Sequence, residues 1–256
     1  MEYYKSNAVY DFIIAKNLNQ FKFVVGNAWQ LVYGDNNCNP LVLVLAVGVH
    51  KDEIGNQPSE QDKNAFTLLK WLADKTNLPI IYIRFIDNLD SIESVVVSSN
   101  LSDFSTISLA ELSVKFGTIG LPVSNTQTNK YLNDKTSSAY HNWQRNSLGA
   151  ALTVSDIDLW LINNTGEPEV VFELKRSYYD LSRWKPFTDD YRNFKLISNL
   201  CNKANIGMKI LYNQRLKNPF QDKIDQLKIF SVDFSKNPPI SEDGIIDLEK
   251  FKNLGQ

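Results

Sequence analysis

Apolar residues recur along this chain in two rhythms, three-and-four apart or in short continuous runs, and each rhythm predicts a kind of element. Ala8, Val9, Phe12 and Ile13 form a helical stripe, with Ser6 or Asn7 placed to cap it. Phe21–Val25 and Trp29–Tyr33 are rich in β-formers, with Gly26-Asn27 as a hairpin turn between them. Leu41–Val47 is unbroken and apolar, the pattern of a strand covered on both faces. A helix is predicted from Ser59-x-x-Asp62 through Ala65, Leu68, Leu69, Leu72 and Ala73, stopped by Asn77 and Pro79. Strands follow at Pro79–Ile86 and Glu93–Ser98, then a helix capped at Ser108 and ended by Gly117.

Residues 117–136 turn polar, which predicts a domain boundary there or a long surface loop over a substrate. Residues 1–117 would be an α/β region without a motif of its own, for target recognition or as an extension of the same sheet. Residues 118–256 would hold the functional domain. No internal repeat is evident. Past the boundary the pattern predicts a helix over 136–146, strands at Asp158–Ile162 and Val170–Lys175, and a helix from Thr188 to about Ala204. A strand at Gly207–Tyr212, another over 227–234, a stop at Asn237-Pro-Pro-Ile and a short helix over 246–254 complete it. The fold class expected is α/β, a central mixed sheet flanked by helices.

The strands at 158–162 and 170–175 carry charge where apolar strands are normally buried. Asn163-Asn164-Thr165-Gly166 between them is turn chemistry. Side chains alternate along a strand, so Glu173 and Lys175 share a face, and Asp158 joins them if the strands pair. Buried Asp, Glu and Lys are costly unless paired or bound to a metal. Two carboxylates at a strand junction suit Mg2+, with Mn2+ as a substitute. A lysine two residues on can orient or deprotonate a water and offset charge on a phosphate. The structural alternative is a surface ion pair of Glu173 with Lys175, with Asp156 and Asp158 as turn acids.

Asp158 followed by Glu173-Leu174-Lys175 after a hairpin-sized gap resembles the signature of the PD-(D/E)xK phosphodiesterases, the restriction-endonuclease-like nucleases. The likeness spans roughly residues 140–212, where two strands, a helix and another strand follow in the family's order. The chain departs from it in having Ile157, not Pro, before the acid, and Asp156 is an alternative ligand. The resemblance implies a restriction-endonuclease-like core in the C-terminal half, and a nuclease that cuts double-stranded DNA, of restriction, defence or repair type. Asp158 and Glu173 would hold Mg2+, and Lys175 would serve the attacking water. Arg176, Arg183 and Lys185 in the following loop would contact phosphates. Gln144, Asp156, Asp190 and Asn193 would support the site from a second layer. The resemblance also implies an acid on the helix before the first strand; the helix over 136–146 has none, and Glu111 is a remote substitute. A homodimer is expected, since two-fold symmetry suits cutting both strands. The alternative is a nuclease-like module that binds nucleic acid or protein without cutting.

Composition narrows this further. With 2 His and 2 Cys, a histidine relay or a cysteine zinc site is not expected, and carboxylate chemistry is favoured. The longest apolar run, Leu41–Val49, is too short to cross a bilayer, and the N-terminus lacks a signal pattern, so a cytoplasmic protein is expected. The net charge of -2 hides an uneven distribution: residues 166–236 hold 13 Lys+Arg against 9 Asp+Glu, while residues 1–165 hold 12 against 16. The positive segment is the one that carries the motif.

Overall fold

The first described helix and strand have partners that come much later in the sequence. The Asn7 side chain accepts from the Val9 amide and starts α1 (Ala8–Ala15). β1 (Phe21–Lys22) follows, but it does not pair with β2 (Ala28–Gly34) as a hairpin. It lies antiparallel to β8 (Leu159–Ile162), with Phe21 opposite Leu161. Phe21 gains more there than a local hairpin offers, because it stacks on Phe251 at 4.6 Å and packs near Phe172. Tertiary packing thus overrides the expected hairpin, and Gly26, at φ 69°, lies in a bend.

The computed structural model describes residues 7–87, 89–124, 126 and 138–255. These fall into two compact units, 24–156 and 7–23 together with 157–255. The division falls after 156 and not at 117, because backbone pairing, not the polarity of a loop, holds a unit together. Much of the polar stretch over 117–136 lies outside the described residues. The fold is α/β, as the pattern of elements predicts, and its strands form two six-stranded mixed sheets, each flanked by helices.

The first unit contains β2, β3 (Pro40–Val49), α2 (Glu60–Thr76), β4 (Ile80–Ile86), β5 (Ser94–Ser98), β6 (Ser105–Ser108), α3 (Leu109–Thr118), α4 (Ala139–Ser147) and β7 (Thr153–Asp156). Its strand order is β6-β5-β4-β3-β2-β7. Only β3 and β4 are parallel, joined by α2, which starts in a Ser59–Asp62 capping box. Trp29, Leu31, Tyr33, Val44, Phe85, Phe116 and Tyr140 pack together as its core.

The second unit contains α1, β1, β8, β9 (Pro168–Ser177), α5 (Tyr191–Ala204), β10 (Gly207–Leu216), β11 (Gln221–Val232), β12 (Ile240–Asp247) and α6 (Leu248–Lys252). Its order is β1-β8-β9-β10-β11-β12, again with one parallel pair, β9 and β10, joined by a helix. Phe21, Leu159, Leu161, Phe172, Leu211, Leu227 and Phe251 form a core with Val9 and Ile13 of α1. α5 buries Phe194, Ile197, Leu200 and Cys201. The unpredicted strands β6, β7 and β12 are short or polar on the exposed side, so no apolar period marks them. Among the described residues no helix is long and apolar enough to cross a membrane.

Asn7→Ala removes the cap that starts α1. It is expected to cost about 1 kcal/mol of unfolding free energy, read from urea denaturation followed by circular dichroism.

Candidate functional site

The turn between β8 and β9 fixes the register of the site. Asn163 Oδ1 accepts from the Thr165 and Glu167 amides, both at 2.9 Å, and Gly166 supplies the positive φ of 83°. Leu159 then pairs with Phe172 at the end of the ladder, and Asp158 and Glu173 are the next residue along each chain. The Asp158 backbone carbonyl accepts from the Tyr10 hydroxyl at 2.9 Å, which ties α1 to this corner. Its side-chain Oδ2 accepts from the Leu174 amide at 2.7 Å, spanning the strand ends where ladder pairing stops.

Glu173 is 8 % exposed, so its charge needs a partner. Lys175 provides it: Nζ stands 3.0 Å from Glu173 Oε1 and 3.4 Å from Asp190 Oδ2, with the centre of the Phe194 ring 5.4 Å away. Asp190 ends a short 3-10 turn that leads into α5, which brings it back to β9. Burial alone would depress the Lys175 pKa, but the Glu173 and Asp190 carboxylates outweigh it, with Asp158 adding to them. The amine is therefore held well above its usual range and stays an ammonium. A fixed ammonium donates hydrogen bonds and stabilises negative charge.

The other predicted residues scatter, and each for a visible reason. Arg176 points to the opposite face of β9 and is clamped 2.7 Å from Asp222 Oδ2, so it is not an open phosphate contact. Asp222 also takes Arg215 at 2.8 Å. Arg183 and Lys185 are exposed on either side of buried Trp184. Asn193 is half-buried on α5, three residues beyond Asp190. Gln144 belongs to the first unit, where its Oε1 accepts from the buried Tyr33 hydroxyl at 2.6 Å. Asp156 ends β7 opposite Leu31 in the first sheet, and is not part of the second unit. Glu111 is spent on the capping box of α3, accepting from the Ser108 amide at 2.7 Å, which lowers its pKa.

The sequence pattern did not reveal what holds the loop between β9 and α5. Trp184 stacks on Tyr212 with ring centroids 4.0 Å apart, and the Tyr212 hydroxyl contacts Ser177 Oγ at 2.9 Å. Lys228, 1 % exposed, donates to the Trp184 carbonyl at 3.1 Å and pairs with Glu242 at 3.0 Å. The alternating pattern of β11 signals an inward position at 228, but a lysine there reads as a surface residue.

Asp158, Glu173 and Asp190 all act on the one Lys175 ammonium, a formal excess of about two negative charges with hard oxygen atoms. Among the described residues no group of three or more His, Cys, Asp or Glu side chains is gathered closely enough to hold a metal by itself. No family model matches the chain, and no curated protein does. A solved structure, a sex pheromone precursor from Lactobacillus salivarius, is similar at 10 % identity over 85 % of this chain and 68 % of its own, with a TM-score of 0.18.

Asp222 is set apart from the candidate centre and tests the local electrostatics. Burial raises its pKa, but hydrogen bonds from Arg215 and Arg176 outweigh this and hold it below the usual range. A folded-state pKa below the unfolded value adds stability above about pH 4 that is lost as pH falls through the folded pKa. The stability gap between wild type and Asp222→Asn is therefore expected to be full at about pH 7 and to shrink below about pH 4, measured by urea titration at each pH.

Proposed function

We propose that the protein is an Mg2+-dependent nuclease that hydrolyses DNA phosphodiester bonds, of the PD-(D/E)xK kind. The observation that carries this reading is the meeting of Asp158, Glu173, Lys175 and Asp190 on adjoining ends of β8, β9 and α5. The order of strand, strand, helix and parallel strand around them is the one the resemblance implies. From outside that order α1 reaches this corner through Tyr10.

Asp158 and Glu173 would hold the metal, and Asp190 would keep Lys175 in place. A bound divalent ion supplies Lewis acidity and neutralises charge on the scissile phosphate. Lys175, as a fixed ammonium, lies beside the carboxylates to meet the charge that develops on the phosphoryl oxygens. Were a cation held by Asp158 and Glu173, the Lys175 ammonium would remain to donate its protons to the phosphate. Arg183 and Lys185 would bind phosphates of the DNA backbone without reading sequence. Exposed Tyr178, Tyr179 and Phe187 in the same loop offer faces to sugars or bases. A cytoplasmic defence or repair role and a homodimer on double-stranded DNA complete the proposal.

A second reading has an observation of its own: the Lys175–Glu173 pair at 3.0 Å is also what a structural ion pair looks like, and it would suit a binding module that does not cut.

One assay separates the two. Purified protein is incubated with supercoiled plasmid in Mg2+, Mn2+ or EDTA. Cutting is expected with metal only, and Lys175→Ala is expected to slow it about 100-fold or more. Plasmid binding in a gel shift with no cutting in either metal would establish the module. In the same gel shift, Arg183→Ala with Lys185→Ala is expected to weaken binding and reduce its salt dependence by about two counterions, whatever the sequence of the plasmid.

A further inference from the structure

The chain runs through the same series of elements twice. Helix, strand, strand, strand, helix, three strands, helix is the order from α1 to α3, and it is the order again from α4 to α6. Each sheet has the matching strand order, with a single parallel pair at the same place. The correspondence extends to residues. A constant spacing of about 128 positions relates Pro40 to Pro168, Pro58 to Pro186, Asp62 to Asp190, Phe66 to Phe194, Leu72 to Leu200 and Asn77 to Asn205. These identities are scattered singly, so the sequence pattern alone shows no repeat.

Local geometry follows the same spacing. In the first hairpin the Asp35 amide donates to the Asn39 carbonyl and the Cys38 amide to that of Asp35; in the second, Asn163 donates to Glu167 and Gly166 to Asn163. Cys38 and Gly166, in equivalent places, have φ of 65° and 83°. Both hairpins shift register at the turn, at Tyr33/Gly34 and at Leu161/Ile162. Both crossover helices end on a left-handed Asn, at φ 54° and 57°, and the amide after each returns to the helix, Leu78 to Ala73 and Ile206 to Cys201. Both copies finish with a capped helix, from Ser108 and from Asp247.

One feature breaks the simple tandem order. β1, which leads the first copy, pairs with β8 of the second, and β7, which leads the second, pairs with β2 of the first. We infer that the chain is a duplicated α-β-β-β-α-β-β-β-α unit whose copies have exchanged their leading strands, and that only the second copy holds a metal. The second clause rests on the nuclease reading above. In the first copy Gln30, Leu45 and Val47 stand at the positions of Asp158, Glu173 and Lys175. Gln30 Nε2 donates to the Ala65 carbonyl at 2.8 Å, and Leu45 is fully buried. Asp62, the counterpart of Asp190, is retained, but it accepts from the Tyr82 hydroxyl at 3.0 Å and lies 3.9 Å from Arg84, both on β4. The first copy thus keeps the acid that steadies a lysine in the second, and lacks the carboxylates that would grip a cation. One chain then cuts one strand, and cutting both takes two chains.

Calorimetric titration of the full chain with Mn2+ reads the number of sites apart from activity. One ion per chain, lost in Glu173→Gln, is the expected result. Two ions per chain, or one that survives Glu173→Gln, would overturn the silent first copy and, if cleavage persists, leave the nuclease reading standing. No bound ion would remove both. The duplication has its own check: Asp35→Asn, Asn37→Thr, Cys38→Gly and Asn39→Glu together give the first turn the sequence of the second. The Tm is expected to stay within about 4 °C of the parent, and a larger fall would overturn the equivalence of the hairpins.

Discussion

A buried glutamate at position 173 is the constraint from which the second unit's chemistry follows. Its carboxylate lies on β9 beside buried Phe172, where an unpaired charge would destabilise the fold. Lys175 answers it from two residues along the same strand, and Asp190 answers Lys175 from the start of α5. The helix that crosses from β9 to β10 is thereby anchored at its first turn by charge and along its length by Phe194, Ile197 and Leu200. The same chain of contacts leaves an excess of negative charge at the strand ends.

The surroundings keep that cluster in place. Trp184 on Tyr212, and Lys228 bonded to the Trp184 carbonyl, pin the loop that carries Arg183 and Lys185 outward. Arg176, Arg215 and Asp222 close the opposite face of the same strands as an ion-pair network. Two cations adjacent in the sequence thus divide by strand parity: Lys175 faces the carboxylate cluster and Arg176 faces away from it.

Duplication accounts for the first unit, whose sequence carries no motif. Its sheet, hairpin turn and crossover helix are those of the second unit, while its counterpart of the charged cluster is Gln30, Leu45 and Val47, all buried. A fold can keep its packing pattern while its reactive groups differ, because Phe66, Leu72 and Asn77 specify the helix and its end independently of what lies on the strand.

Local signals were legible in the sequence. Ser59 and Ser108 as caps, Asn77 as a helix stop, the turn at Asn163–Gly166 and the shared face of Glu173 and Lys175 all depend on residues within a few positions of one another, which is the range over which caps, turns and strand alternation act. What the tertiary structure decided was long-range pairing. That β1 leaves β2 for β8, that Gln144 and Asp156 lie in the other unit, that Arg176 meets Asp222, and that two copies share one plan, all depend on which surfaces gain most by burial against each other. A linear pattern carries the period of an element but not the identity of its distant partner.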